Sequence, residues 1–375
     1  MLKLKDLYQG FRDHKSILAW SQKIKQDSKT LDKKIRVMEV CGGHTHSIMK
    51  YGINQLLDDV FEFIHGPGCP VCIMPKSRIN HAIILAQQEN TIIATLGDMI
   101  RIPSSMGSLS DARSRGADVR FIYSPLDLLK IAKDHPNKTV IYFAIGFETT
   151  TPMSAALLER IQREQIKNIL FHINHVLVPP PMEAILQNKE VQIDAFIAPS
   201  HVSVITGSKI YEPFTSQYHI PTVVSGFEPV DILEALWMIL NQVKRQEAKL
   251  ENQYKRAVTF EGNTLAQEKI KHYFTVRESF TWRGIGEIPH SALRLKDEFA
   301  QYDAEHHFNL PIETISEPKG CICPQIIGGI AKPSACKLFG KACTPSSPIG
   351  SCMVSSEGVC NAYFRYGNLI SKDVK

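Results

Sequence analysis

Residues 36–46 read Arg36-Val37-Met38-Glu39-Val40, then Cys41-Gly42-Gly43-His44-Thr45-His46. A short apolar run that stops at glycines has the form of a buried strand entering a turn. The next run, residues 60–65, ends in Gly66-Pro67-Gly68-Cys69-Pro70-Val71-Cys72. Apolar runs at 91–96 and 119–123 follow, with helical patterns at 77–88 and 125–133. Strands alternating with helices predict a parallel α/β sheet.

The same rhythm returns at 140–145, 168–172, 194–198 and 222–225, offset by roughly one hundred residues. Gly42 and Thr45 correspond to Gly146 and Thr149 at a shift of 104. Residues 125–129 correspond to 229–233 at the same shift. We read an internal duplication. The expected fold class is α/β, with two similar parallel-sheet domains at 31–138 and 139–249. A small Cys-rich domain, formed by 1–30 and 250–375, completes the expected architecture. Residues 1–30 place Leu4, Leu7, Tyr8, Phe11, Ile17, Leu18, Trp20 and Ile24 at helical spacing, as in one or two amphipathic helices. Residues 251–287 are mixed and charged. The stretch from Ile315 is rich in Gly, Pro, Ser and Cys, too poor in apolar side chains for its own core, and calls for a metal to fix its loops.

At 375 residues the chain exceeds one ordinary core. Its 43% hydrophobic and 22% charged residues suit a globular protein. The net charge of +5 is mild and the lysines are scattered, which argues against nucleic acid as a partner. The first residues are charged and no apolar run nears the about 18–20 residues of a spanning helix. The expectation is a cytoplasmic protein with no membrane segment.

Nine cysteines fall unevenly: three in the first fifth, none in the middle, six in the last fifty-five residues. In a reducing compartment such numbers point to metal or redox chemistry at two sites. In the tail, Cys321, Cys323, Cys336, Cys343, Cys352 and Cys360 are separated by one, twelve, six, eight and seven residues. Four thiolates suffice for a [4Fe–4S] cluster, leaving two spare. A structural zinc site also takes four cysteines, but it favours paired short knuckles, which this spacing lacks. The first site lies at two neighbouring strand ends, where ligand crevices form in open α/β sheets. Cys41, Cys69 and Cys72 offer three soft ligands, with His44 and His46 as imidazole partners. Pro75 reads as a first helical residue, and a helix N-terminus favours thiolate nearby. The bland readings are a small buried Cys41, a thioredoxin-like C-x-x-C pair and hydrogen-bonded structural histidines.

Gly146-Phe147-Glu148-Thr149-Thr150-Thr151 ends the first strand of the second copy. One threonine would serve as an N-cap. Glu148, Thr149 and Thr150 exceed that need and are expected to support the cysteine site from across the crevice. Asn174, His175, Ser200 and His201, also near strand ends, are read as structural. There is no phosphate-binding glycine loop, and no Ser-His-Asp set can be argued.

Together, the motifs at 41–46, 66–72 and 146–150, with Lys337-Leu338-Phe339-Gly340 and the Cys-rich tail, closely resemble the hydrogenase maturation factor HypD family over nearly the whole chain. The resemblance implies two α/β domains and a third carrying a [4Fe–4S] cluster. It implies assembly of the Fe(CN)2CO unit of [NiFe] hydrogenases, with a HypC-type small chaperone and a HypE-type cyanide donor, as a monomer within a heteromeric complex. By motif, Cys41 would hold the iron, Cys69 and Cys72 would be the reactive thiol pair, and His44 would assist. The family spacing C-x14-C-x6-C-x16-C selects Cys321, Cys336, Cys343 and Cys360 as cluster ligands. Cys323 and Cys352 then form a nearby redox pair, on an electron path from cluster to Cys69 and Cys72. The role implied is a redox-active scaffold, not a conventional turnover enzyme. The competing roles are an iron–sulfur thiol–disulfide reductase and a zinc-stabilised binding module.

Overall fold

A computed structural model describes residues 9–313 and 315–367. Leu4, Leu7 and Tyr8 of the expected N-terminal helix lie outside them. Nine strands build two all-parallel sheets: β1 (Ile35–Glu39), β2 (Phe61–His65), β3 (Thr91–Leu96), β4 (Val119–Ile122), β5 (Thr139–Gly146), β6 (Ile169–His175), β7 (Ala195–Pro199), β8 (Thr222–Ser225) and β9 (Leu250–Asn252). One sheet has the order β2-β1-β7-β8-β9, the other β4-β3-β5-β6.

The α/β class and the parallel sheets are as expected, but strand pairing cuts across the boundary at 138/139. Each expected half gives two strands to each sheet. The joins are central: Val37 pairs with Ala195 across β1 and β7, and Ile93 with Ile141 across β3 and β5. The duplication survives in a different form. β5 starts 104 residues after β1, and β7 starts 104 residues after β3. Under that shift the order β2-β1-β7-β8 becomes β6-β5-β3-β4, the second sheet read from its other edge. The two copies have exchanged halves.

Alternation along the strands gives each sheet two buried faces. On β5, Ile141, Phe143 and Ile145 enter a core shared with Met38 of β1, Val40 just beyond it, and Phe196 and Ala198 of β7. Val140, Tyr142 and Ala144 face a second core with Leu157 and Leu158. Val37, Ala195 and Ile197 face a third with Ile232 and Leu236. The shared core also takes in Cys69, Cys72, Cys323, Cys352 and Cys360. The tail therefore borrows its apolar support from the sheets.

The segments expected to join the tail are divided as well. Helix His14–Asp27 packs on helix Pro229–Lys244, with Trp20 and Trp237 edge to face at 5.8 Å and the Trp237 Nε1–H donating to Asp27 at 2.8 Å. Residues 250–252 are β9 itself. Residues 274–295 form two short antiparallel ladders, and Ser279–Trp282 pairs with Gly286–Pro289.

Candidate functional site

β1 delivers Cys41 as the N-cap of helix Gly42–Lys50. Its Sγ accepts the Gly43 N–H at 3.3 Å, and its own N–H donates to Glu39 at 2.9 Å. Glu39 is fully buried; it also accepts from Thr45 and lies 2.7 Å from His65 Nδ1. His65 Nε2 reaches the Tyr363 hydroxyl at 3.2 Å, tying the Cys41 loop to the tail. Burial raises the Glu39 carboxyl above its usual range despite His65 beside it.

The C-x-x-C loop is the chain's crossover from the first sheet to the second. It is pressed against Cys41: a Cβ at position 68 would stand 2.2 Å from the Cys41 nitrogen, so only glycine fits. The Gly42 N–H donates to Gly68 O at 2.9 Å. The following helix is Lys76–Ala86, so Pro75 is its N-cap and not its first turn. Pro75 takes ψ 146, extended backbone that a helical residue cannot hold. The Cys72 N–H donates to Cys69 Sγ at 3.2 Å. Cys41, Cys69 and Cys72 are all at least 96% buried. Burial pushes the Cys41 thiol well above its usual value, with Glu357 and Glu39 adding repulsion. Burial does the same for Cys72, aided by Cys69 and Cys352. These thiols are protonated until a metal or a base takes the proton.

His201 Nδ1, at 3.7 Å, contacts Cys41 Sγ. It sits just beyond β7, whose edge adjoins β1. Sequence reasoning read it as structural; the signal available was a histidine two residues past a strand end. His44 and His46 turn elsewhere. His44 Nε2 lies 3.2 and 3.0 Å from the carbonyls of Ser225 and Gly226, so it carries the proton, and its buried Nδ1 has no partner. His46 Nδ1 lies 3.3 Å from Ser356 O. Burial drops His44 and His201 to about 4, so both are neutral at pH 7.

Across the crevice, β5 ends in Gly146 with φ +152, where a Cβ would strike the Thr150 side chain at 2.4 Å. Thr150 precedes helix Thr151–Arg163 without a side-chain capping bond. Glu148 is buried; one oxygen accepts the Val178 N–H at 2.9 Å and the other has no partner. Burial lifts its carboxyl to about 7. The hydroxyls of Thr149 and Tyr211 are likewise buried and unpartnered, and burial raises the Tyr211 hydroxyl well above its usual value, with Glu148 and Cys41 adding repulsion. Sequence reasoning did not name Tyr211; a tyrosine beyond β7 carries no motif. Glu148 also lines an apolar cleft of about 460 Å³ beside helix Thr264–Tyr273.

The tail cysteines converge. Cys336 Sγ lies 4.0 Å from Gly320 O, next to Cys321. Cys343 Sγ accepts the Ile349 N–H at 3.3 Å, and a Cβ on Gly350 would stand 2.9 Å from Cys321 Sγ. Cys352 Sγ and Cys360 Sγ are 3.1 Å apart. Ser351 joins this group to the C-x-x-C loop: its hydroxyl donates to Cys72 O at 2.6 Å and lies 3.8 Å from Cys323 Sγ. A cavity of about 10 Å³, enough for about one water, is lined by Cys69, Cys72 and Cys352. As placed, no three Cys, His, Asp or Glu among the described residues are spaced to hold a metal ion. All nine cysteines are free thiols. No helix among the described residues is long and apolar enough to cross a membrane.

Fold and site thus define an α/β protein in which two sheets share a core with a thiol-rich tail, and the tail and the C-x-x-C loop enclose a cysteine-lined cavity. The chain belongs to the HypD family of hydrogenase-formation proteins. A family model described as "HypD: Hydrogenase formation hypA family" matches residues 15–367. The chain is 51% identical over 341 residues to a hydrogenase expression/formation protein HupD of Azotobacter chroococcum, covering 89% of this chain and 90% of that one. It is 50% identical to a hydrogenase maturation factor HypD of Azotobacter vinelandii, with the same coverages. Against the HypD of Escherichia coli the identity is 42%, over 90% of this chain and 91% of that one.

Proposed function

We propose that this protein is a cytoplasmic, redox-capable scaffold on which the Fe(CN)2CO unit of [NiFe] hydrogenases is assembled. It would work with a HypC-type small chaperone and a HypE-type cyanide donor. The observation that carries the reading is Cys41. A soft donor sits at a helix N-terminus, locked by Glu39 and backed by His201, with the loop of the Cys69/Cys72 dithiol packed against it. Iron binding displaces the Cys41 proton. The unpartnered hydroxyls and carboxyl of Thr149, Tyr211 and Glu148 supply donors for the nitrogen or oxygen ends of small iron-bound ligands.

In the tail, Cys321, Cys336, Cys343 and Cys360 would hold a [4Fe–4S] cluster; what supports this is the chemistry of an all-thiol donor set, with the buried Arg283 as a neighbouring cation. When bound, the cluster supplies electrons one at a time. Cys323 and Cys352 lie between these ligands and the Cys69/Cys72 pair.

An infrared spectrum of the anaerobically purified protein with its small partner tests the scaffold role. Bands of iron-bound CO and cyanide support it. Their absence with the cluster intact and all accessory factors present removes it. The cavity shared by Cys69, Cys72 and Cys352 also suits a thiol–disulfide reductase, in which a disulfide takes up two electrons and two protons. Cys41→Ala separates the two. A scaffold loses all iron beyond the cluster, whereas a reductase keeps its turnover.

A further inference from the structure

Arg283 occupies the turn after strand Ser279–Trp282 and is 3% exposed. Its backbone N–H donates to Ile73 O at 2.8 Å, one residue beyond Cys72. The adjoining Gly284 is jammed against Pro324, where a Cβ would stand 2.7 Å from the Pro324 Cα, one residue beyond Cys323. The turn that carries Arg283 is thus packed between the C-x-x-C loop and the start of the helix at Cys323.

Only part of it is satisfied. Nη2 donates to Glu317 at 2.5 Å, while Nε and Nη1 are buried with no partner. The groups acting on its charge are Cys323, Glu317 and Cys352. Lys76, 7% exposed, donates to Ser316 O at 2.6 Å and lies 3.5 Å from the same carboxylate. Two buried cations therefore share one partly exposed carboxylate. Leaving a buried charge unmatched, with two idle N–H donors, is costly. A fold keeps such a group where negative charge arrives.

We propose that Arg283 is the charge-balancing and positioning residue of the tail sulfur centre. Its free N–H groups donate to sulfur, and its charge favours the centre's reduced, more negative state. This rests on the cluster reading given above. N–H···S bonds and nearby charge are the levers a protein has over the potential of such a centre.

The test is an anaerobic redox titration with dithionite as electron donor, following the cluster's absorbance and spin signal. Reduction adds one electron to the centre. Arg283→Gln should disfavour it by tenfold or more, a fall of about 59 mV for a one-electron couple. Glu317→Gln, which unmasks the cations, should raise the potential. Arg283→Lys should lie between wild type and Arg283→Gln. A packing role would not give opposite signs at Arg283 and Glu317. Shifts in one direction, or changes under twofold in both variants, overturn the proposal while leaving the cluster in place. If Arg283→Gln does not fold, the sign at Glu317 decides alone. Wild-type protein that takes up no cluster on reconstitution overturns the cluster reading and this proposal together.

Discussion

Glu148 holds a buried carboxyl whose pKa is lifted from 4.5 to about 7 by burial. Between those values the folded chain keeps a proton that the unfolded chain has lost. Stability from this group is complete below pH 4.5 and is lost as pH rises through about 7, by about 3 kcal/mol at most. Histidines held at about 4, such as His44, His175 and His201, act in the opposite sense, costing stability as pH falls from 6.5 toward 4. Comparison with Glu148→Gln cancels their contribution. Urea midpoints from pH 4.5 to 8 should show the wild type losing stability relative to Glu148→Gln; parallel curves would mean that the carboxyl is ionised throughout. Glycine positions give a second residue-level test. Gly68→Ala must push a methyl into the Cys41 backbone and should cost about 1–3 kcal/mol or more, whereas Gly97→Ala meets open space and should be near neutral in the same melts. The cysteines of the site were legible in the sequence because their spacing is itself a motif. His201 and Tyr211 were not, since what singles them out is proximity across β1, β5 and β7, which no local pattern encodes.

At the scale of elements, the parallel strands were readable because buried strands are continuous apolar runs. β3 and β8 match their expected limits. The antiparallel strands at 274–295 were hidden. Ser279–Trp282 does alternate, with Phe280 and Trp282 inward, but it is four residues long and set among Arg277, Glu278, Arg283 and Glu287. Some of those charges are structural. Arg78 and Arg277 both bind Glu305, and Arg78 continues to Asn174 at 2.6 Å on β6. Burial alone would raise the Glu305 carboxyl, yet the two arginines hold it far below its usual range. This ion triad pins the helix before β3 and the hairpin region to the second sheet. Glu305→Ala strands two largely buried guanidiniums and should cost about 3–5 kcal/mol. A thermal melt within a degree or two of wild type would show that solvent replaces the carboxylate.

For the whole molecule, pairing between distant strands decides what is a folding unit, and sequence rhythm does not report it. The 104-residue echo was visible at Gly42/Gly146 and Thr45/Thr149, and the topology retains it. Invisible was the exchange. The chain leaves the first sheet after β2 through the Cys69–Cys72 loop and returns only at β7. The crossover that carries the dithiol is therefore one of the two links that make the sheets interdependent, and Cys41 lies beside the seam between β1 and β7. Residues 31–138 alone would hold β1 with β2 and β3 with β4, two separate strand pairs whose inner edges and apolar faces have lost their partners. Isolated two-stranded units are marginal in water, and open edges such as those of β1 and β3 invite aggregation. This fragment should show no cooperative transition in a circular-dichroism melt, and co-expression with residues 139–375 should restore one, because the missing edges return together. A sharp two-state melt of 31–138 by itself would mean that each copy can close its own sheet, and that the exchanged arrangement is only one of two packings open to the chain.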